Sequence, residues 1–531
     1  MTGKADAKPV IEIYDTTLRD GSQGEGISFS VEDKIRVARR LDEFGMDYIE
    51  GGWPGSNPKD EAFFERLKST KLKHSLLASF GSTRRASIDV TDDPQIIKLV
   101  AAATPVITIF GKSWEQHILW ALRTTPEENL KMIEDSVAFL NGRCDRLIYD
   151  AEHFFDGFKA NPDYAIKCLE AAAGAGAYAL VLCDTNGGTL PEEVQRITGE
   201  VASKLCGSRI GIHSHNDGEC AVANALSAIN SGATHVQGTV NGYGERCGNC
   251  NLIPVVAALK IKLNRDCLSE GSLGHLTALS QFVDEVANLA PDSRRPYVGK
   301  SAFAHKGGVH ADAVLKGASY EHIDPETVGN SRRLLVSELA GSASISGKAA
   351  EYGLDLNRKS PETRALLQAV TERENDGYSF EGAEASFELL MMRQIGKIVE
   401  PFNLIGFRCI VEQRGDDTIT EATVKLTTNG VEQLTVAEGD GPVHALDGAL
   451  RKALMSNFPG LEGIKLVDFK VRVVNTRAGT AARVRVIIDT TDGESSWSTV
   501  GVSTNMIEAS CKALVDSIVY GLVKRAGEPR C

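Results

Sequence analysis

Short apolar runs alternate with longer amphipathic stretches through the first half of the chain. Val10–Tyr14, Tyr48–Gly51, His74–Ser79, Val106–Phe110, Arg146–Asp150, Ala179–Cys183, Arg209–His213 and Val236–Val240 read as eight strands. Most are apolar without polar alternation, the pattern of parallel strands covered on both faces. The stretches between them, such as Val31–Phe44 and Pro191–Leu205, have helical composition. Ser30 followed by Asp33 suits an N-terminal capping box, and Pro191 before Glu192 and Glu193 suits a first helical turn. Eight strand–helix units in about 260 residues match the size and count of a TIM (β/α)8 barrel. An open doubly wound sheet usually has fewer strands and a glycine fingerprint after the first, so the pattern predicts the closed α/β barrel.

From about Asp266 the strand signal fades. Leu276–Leu289 and Pro361–Arg373 read as helices, with a Gly/Ser/His-rich stretch, Gly299–Gly317, between them. From Gly396 the chain is strand-rich again and carries a weak repeat at an offset of 60 residues: Ala422 aligns with Ala482, Gly441 with Gly501, Ala449 with Ala509 and Lys452 with Lys512. Each copy reads as a β-β-β-α unit, a pattern that suits a small-molecule or dimerisation module. The predicted organisation is a catalytic barrel over 1–270, helical linker subdomains over 271–395 and a C-terminal α+β regulatory domain over 396–531.

Composition narrows the function. The 531 residues carry 58 basic and 71 acidic side chains, a net charge of −13, which disfavours nucleic acid as the main partner. The 11 cysteines are an odd number, and no apolar signal segment opens the chain, which together point to a reducing cytoplasm. No run is long and apolar enough to span a membrane. Ile96–Phe110 comes nearest, and Lys98, Thr104 and Pro105 interrupt it.

Active sites of such barrels form where the strands end. Reactive groups collect there: Arg19 and Asp20 after the first strand, Glu50 at the second, Asp150, Glu152 and His153 at the fifth, Asp184 and Thr185 at the sixth, His213, His215, Asn216 and Asp217 at the seventh, and Glu245 and Arg246 after the eighth. Residues i and i+2 of a strand share a face, so His213 and His215 can reach one ion. A carboxylate such as Asp20 and an amide such as Asn249 would complete a mixed N/O shell suited to Mg, Mn, Co or Zn. The competing reading is two barrel histidines bonded to neighbours; their position at a strand end beside Asn216 and Asp217 favours the metal. Arg19, next to Asp20, reads either as a holder of a substrate oxyanion or as half of a surface ion pair. Cys247 and Cys250 form a single C-x-x-C, weak evidence for a redox or zinc role. The glycines after Asp20 and after Asn241 do not spell a dinucleotide fingerprint. His305 and His310, in the glycine-rich stretch, could reach over a barrel rim and transfer protons.

DTTLRDGSQ (15–23), IGIHSHND (210–217) and NGYGERCGNCNL (241–252) together resemble the DRE-TIM metallolyases, in particular the Claisen-condensing branch of 2-isopropylmalate, homocitrate and citramalate synthases. The segments 149–165 and 303–329 are most similar to one class of bacterial citramalate synthases. The resemblance implies Asp20, His213, His215 and Asn249 as metal ligands, Arg19 as the group stabilising the substrate oxygen, and Gln23 and Thr185 as contacts to the 2-oxo acid. It places Glu152 in the active site and brings His310, with His305, from the linker, either of the same subunit or of the other subunit of a homodimer. The general base stays open among Glu152, Glu245, His305 and His310. The implied reaction joins acetyl-CoA, as co-substrate, to pyruvate, giving citramalate for isoleucine synthesis, with isoleucine as the expected effector of the duplicated module. A sibling synthase with another 2-oxo acid, a lyase, and an amino-acid sensor with an inactive barrel are the rival readings.

Overall fold

The computed structural model describes residues 10–68, 72–287, 289–305, 320–334, 361–380, 383–415, 417–474, 481–493 and 495–527. The chain divides into two compact units, one of residues 1–303 with 323–332, the other of 304–322 with 333–531.

In the first unit the eight apolar runs are eight parallel strands: β1 (Glu12–Asp15), β2 (Tyr48–Gly52), β3 (Leu76–Ser82), β4 (Val106–Lys112), β5 (Arg146–Glu152), β6 (Ala179–Asp184), β7 (Arg209–Ser214) and β8 (His235–Gly238). They pair in chain order, and β8 returns to β1 with Tyr14 opposite Gln237, so the barrel is closed. Alternate residues divide between two apolar clusters. Tyr14, Tyr48, Ala78, Val106, Ile148 and Val181 pack together, while their strand neighbours Ile13, Ile49, Ile107, Leu147 and Leu180 pack in the main cluster with helical residues. Burial on both faces explains why the strands read as continuous apolar runs.

The helices start where the sequence says they should. Ser30 accepts from the Asp33 N–H while Asp33 accepts from the Ser30 N–H, opening helix Val31–Phe44. Asn57-Pro58, Asp93-Pro94, Thr125-Pro126 and Asn161-Pro162 open four more, each cap side chain taking an orphan N–H ahead of a proline that has none to lose. Helix Pro191–Lys204 begins at its proline with Glu192 and Glu193 in the first turn.

In the second unit β9 (Ala304–His305) and β10 (Arg333–Leu334) form a short parallel pair. Beyond helices Pro361–Asn375 and Glu384–Gln394, the chain forms two antiparallel three-stranded sheets. These are β11 (Asn403–Arg414), β12 (Asp417–Thr428) and β13 (Val431–Gly439), then β14 (Lys465–Val473), β15 (Val484–Thr491) and β16 (Ser496–Ser503). Each sheet is followed by one helix, Pro442–Leu454 and Met506–Gly527. The duplicated β-β-β-α unit is therefore present, but the offset of 60 is wrong. The Thr435 hydroxyl donates to the Ala449 carbonyl at 2.8 Å, and the Thr499 hydroxyl to the Ala513 carbonyl at 2.8 Å, so both residues of the bond move by 64. Gly441 precedes a helix, whereas Gly501 lies inside β16. The error is four residues, one helical turn and an even number of strand positions. It carries each apolar face onto itself, which is why the false register matched.

Candidate active site

The loop after β1 and the end of β7 bring Asp20, His213 and His215 together. All three are buried, and one donor atom from each lies within 4.8 Å of the others. His213 Nε2 is 3.4 Å from Asp20 Oδ2. His213 is held from behind: its Nδ1 meets Gln237 Oε1 at 2.8 Å, and Gln237 Nε2 donates to Asp150 Oδ1 at 3.0 Å. Burial alone would raise the Asp20 carboxyl, but Arg19 and the two imidazoles hold it well below the usual carboxylate range. Burial would lower His213, and the hydrogen bond and charge of Asp20 raise it instead. Burial, then the charge of His213, pushes His215 down to about 4, so it is a neutral imidazole at neutral pH.

Asn249 reaches this cluster through the chain after β8. It forms an isolated antiparallel bridge with His215. Its Nδ2 donates to the Tyr243 carbonyl at 3.1 Å, which leaves Oδ1 buried without a partner. The glycines of this loop are required: a Cβ on Gly244 (φ 150°) would sit 2.2 Å from Asn249 Nδ2, and one on Gly248 (φ 90°) 2.0 Å from the Gly242 carbonyl oxygen. A ring nitrogen of His215, Nδ1, is also buried and unpaired. Two orphaned polar atoms beside an ionised carboxylate and two imidazoles fit a hard-to-borderline divalent cation.

Arg19 is largely buried and is fixed from three sides. Its Nε donates to Glu50 Oε2 at 2.6 Å, its Nη1 lies 3.2 Å from Asp20 Oδ2, and its guanidinium stacks 3.7 Å above the Phe80 ring. Glu50 is fully buried and also accepts from the Tyr14 hydroxyl, at 2.6 Å, and from the Thr16 hydroxyl. An arginine this committed is no surface ion pair. Phe80 stacks on Phe110 at 5.6 Å, and Trp53 meets both rings edge-on. Lys112, two residues past Phe110, pairs with Glu152.

The Thr185 hydroxyl accepts from the His153 N–H at 2.9 Å, leaving its own proton to donate elsewhere, and the Thr185 carbonyl accepts from Arg246 at 2.7 Å. His153 has φ of 57° and meets His117 edge-on with ring centroids 4.1 Å apart, an imidazole pair that no sequence motif announced. Gln23 ends the turn after Asp20 and is exposed. Glu245 is exposed. His305 belongs to the second unit, where its Nε2 meets Glu321 at 2.9 Å. His310 lies outside the described residues. Sequence reasoning gave Glu50 and Asp150 no role beyond marking strand ends, and missed Gln237 altogether. The available signal for Gln237 was a carboxamide inside a short strand, two positions after His235 on the same face.

Comparison with known proteins agrees with this geometry. The sequence model described as HMGL-like matches residues 10–283, "Homocitrate synthase post-HMGL domain-like" matches 297–375, and "LeuA allosteric (dimerisation) domain" matches 381–522. An (R)-citramalate synthase of Aquifex aeolicus is 53% identical over 97% of this chain and 98% of that protein. One of Geobacter sulfurreducens is 53% identical over the same shares, 97% and 98%. The chain belongs to the HMGL-like family, in its (R)-citramalate synthase branch. A 2-isopropylmalate synthase of Pyrococcus furiosus is 30% identical over 96% of this chain and 98% of that one, so the sibling branch is clearly more distant. No described helix is long and apolar enough to cross a membrane.

Proposed function

We infer that this chain is a transferase that condenses acetyl-CoA with pyruvate and hydrolyses the thioester, giving (R)-citramalate and CoA. Identity of 53% to (R)-citramalate synthases over nearly the whole chain carries this reading. Asp20, His213, His215 and Asn249 would hold a divalent cation, Mg, Mn, Co or Zn, which when bound supplies Lewis-acid polarisation of the acceptor's keto group. Arg19, locked by Glu50 and Phe80, presents its remaining N–H groups to the oxygen that gains charge as the new C–C bond forms. The Thr185 hydroxyl donates to the acceptor's carboxylate, with Gln23 at the same rim. Glu152, charge-paired with Lys112, would accept or return a proton at the donor's methyl carbon. His305 and His310 remain candidates for that transfer from the linker.

The ring wall of Phe80, Phe110 and Trp53 beside Arg19 favours a small acceptor, because its rigid packing leaves no flexible side chain to give way to a branched one. The division into a catalytic barrel over 1–270, a linker over 271–395 and a regulatory domain over 396–531 accompanies this reading. In the duplicated module a cavity of about 240 Å³ is lined by Pro442, Val443, His444, Phe469, Met506, Ile507 and Ser510, where the starts of both repeat helices meet. Mostly apolar, with one imidazole and one hydroxyl, it suits isoleucine as an effector. Ile410, Leu434 and Val436 point away from helix 442–454 and are 42%, 68% and 40% exposed, a face suited to a second copy of the chain in a homodimer. The described cysteines, from Cys144 to Cys511, are all free thiols, in keeping with a cytoplasmic setting.

The test is CoA-thiol release with pyruvate, 2-oxoisovalerate or 2-oxoglutarate, with and without chelator and isoleucine. Turnover with pyruvate, lost on chelation and reduced by isoleucine, is expected. Preference for 2-oxoisovalerate would reassign the acceptor.

A further inference from the structure

Three buried side chains on three strands of the barrel form a hydrogen-bonded line that ends at the metal cluster. Asp150 on β5, Gln237 on β8 and His213 on β7 are 3%, 1% and 5% exposed. Gln237 Nε2 donates to Asp150 Oδ1 at 3.0 Å, and Gln237 Oε1 faces His213 Nδ1 at 2.8 Å. Beyond the ring, His213 Nε2 faces Asp20 Oδ2 at 3.4 Å.

We propose that Gln237 is a positioning residue: it fixes His213 as the Nδ1–H tautomer and thereby commits Nε2, with its lone pair, to a divalent cation, while Asp150 fixes the orientation of the Gln237 amide. The inference rests on the metal reading above and deepens it. The chemistry is directional. A primary amide has one end that only accepts and one that only donates. In the structure the amide turns its NH2 towards an Asp150 oxygen, which accepts, and its own oxygen towards His213. The ring nitrogen facing that oxygen must then carry the proton. The reverse amide orientation would require a proton on Asp150 and would leave Nδ1 as the acceptor, with the proton on the wrong nitrogen for a ligand. Partners of this kind behind a metal-binding imidazole set its tautomer and ring orientation, and their loss typically costs about 10–100-fold in metal affinity. Gln237 touches no substrate atom in this account; its effect passes through His213.

The experiment is a titration of full-length, chelator-stripped protein with Mn²⁺, following free Mn²⁺ by its electron paramagnetic resonance signal, for wild type, His213→Ala, Gln237→Met, Gln237→Glu and Gln237→Asn. His213→Ala is expected to abolish tight binding. Gln237→Met, similar in shape but with only a weakly accepting sulfur and no donor, should weaken binding by about 10–100-fold. Gln237→Glu, which can share one proton with Asp150 and still accept from Nδ1–H, should restore most of that loss, as a merely structural residue would not require. Gln237→Asn, too short to reach both partners, should weaken binding in the same direction, and it carries the test if the methionine variant does not fold. Wild-type affinity in both Gln237→Met and Gln237→Asn, with His213→Ala still defective, overturns the positioning role and leaves the metal site standing. Equal loss in Gln237→Met and Gln237→Glu also overturns it. Wild-type affinity in His213→Ala overturns the metal reading itself.

Discussion

The two ends of the barrel are both polar, yet they are built for different purposes. At the floor, where the strands begin, Glu12 Oε1 accepts from the Tyr178 hydroxyl at 2.7 Å and lies 2.7 Å from Arg209 and 3.5 Å from Arg146. Its other oxygen lies 3.4 Å from His235 Nδ1. Both arginines stack on the Tyr178 ring, and Arg146 also bonds the Tyr48 hydroxyl. One carboxylate is thus enclosed by cations and hydroxyls. His235 Nε2 is unpaired there, but it stands alone. At the mouth, Asn249 Oδ1 and His215 Nδ1 are left unpaired in the same cluster as an ionised Asp20. Polar residues at strand ends do not by themselves mark a site. Unfilled acceptors converging on one point do, and the floor, where charges answer one another, reads as stability.

That contrast can be broken from either end. The largest effect belongs to His213→Ala, which should lower pyruvate turnover on the order of 10³-fold or more while the melting temperature hardly moves, since a Lewis acid is worth several kcal/mol in the transition state. Turnover within tenfold of wild type would place the chemistry elsewhere. Next, Arg19→Ala should lower kcat by about 10²–10³-fold, the usual loss for one oxyanion donor, and should do so more than it raises KM for pyruvate. Phe110→Ala sharpens the view of the mouth by opening the ring wall. The ratio of kcat/KM for 2-oxoisovalerate to that for pyruvate should rise by about 10–200-fold, the range set by pocket shape alone.

The floor gives the opposite signature. Glu12→Gln should leave kcat per folded molecule unchanged and lower the unfolding free energy by about 1–3 kcal/mol, measured by urea denaturation at neutral pH. Burial would raise the Glu12 carboxyl, but His235, Tyr178 and Arg209 bring it down from 4.5 to about 2. A carboxyl depressed in the folded state stabilises above its unfolded value and loses that contribution as pH falls through its folded one. The gap between wild type and variant should therefore be full above about pH 5 and narrow between pH 4.5 and 2. A gap unaffected by acid would mean that Glu12 contributes by packing.

Much of this was legible in the chain. All eight strands and the closed barrel followed from apolar runs and punctuation, because parallel strands buried on both faces leave little else to read. The i, i+2 spacing of His213 and His215 was local and therefore visible. The contribution of Glu50 was not, because its partners Tyr14, Thr16 and Arg19 lie 36, 34 and 31 residues away and meet it only once β1 and β2 are paired. Gln237 was hidden for the same reason: its partners sit on two other strands. The repeat was detected in the wrong register because a helix and a strand each match themselves after four residues.

The central claim is that one divalent cation sits among Asp20, His213, His215 and Asn249. Anomalous scattering at the manganese edge, from crystals of the full chain grown with Mn²⁺, tests it most directly. The account predicts one strong peak per chain within coordination distance of His213 Nε2, an Asp20 carboxylate oxygen, His215 and Asn249 Oδ1. A mouth with no peak at saturating Mn²⁺, or a peak held by other residues, would contradict it.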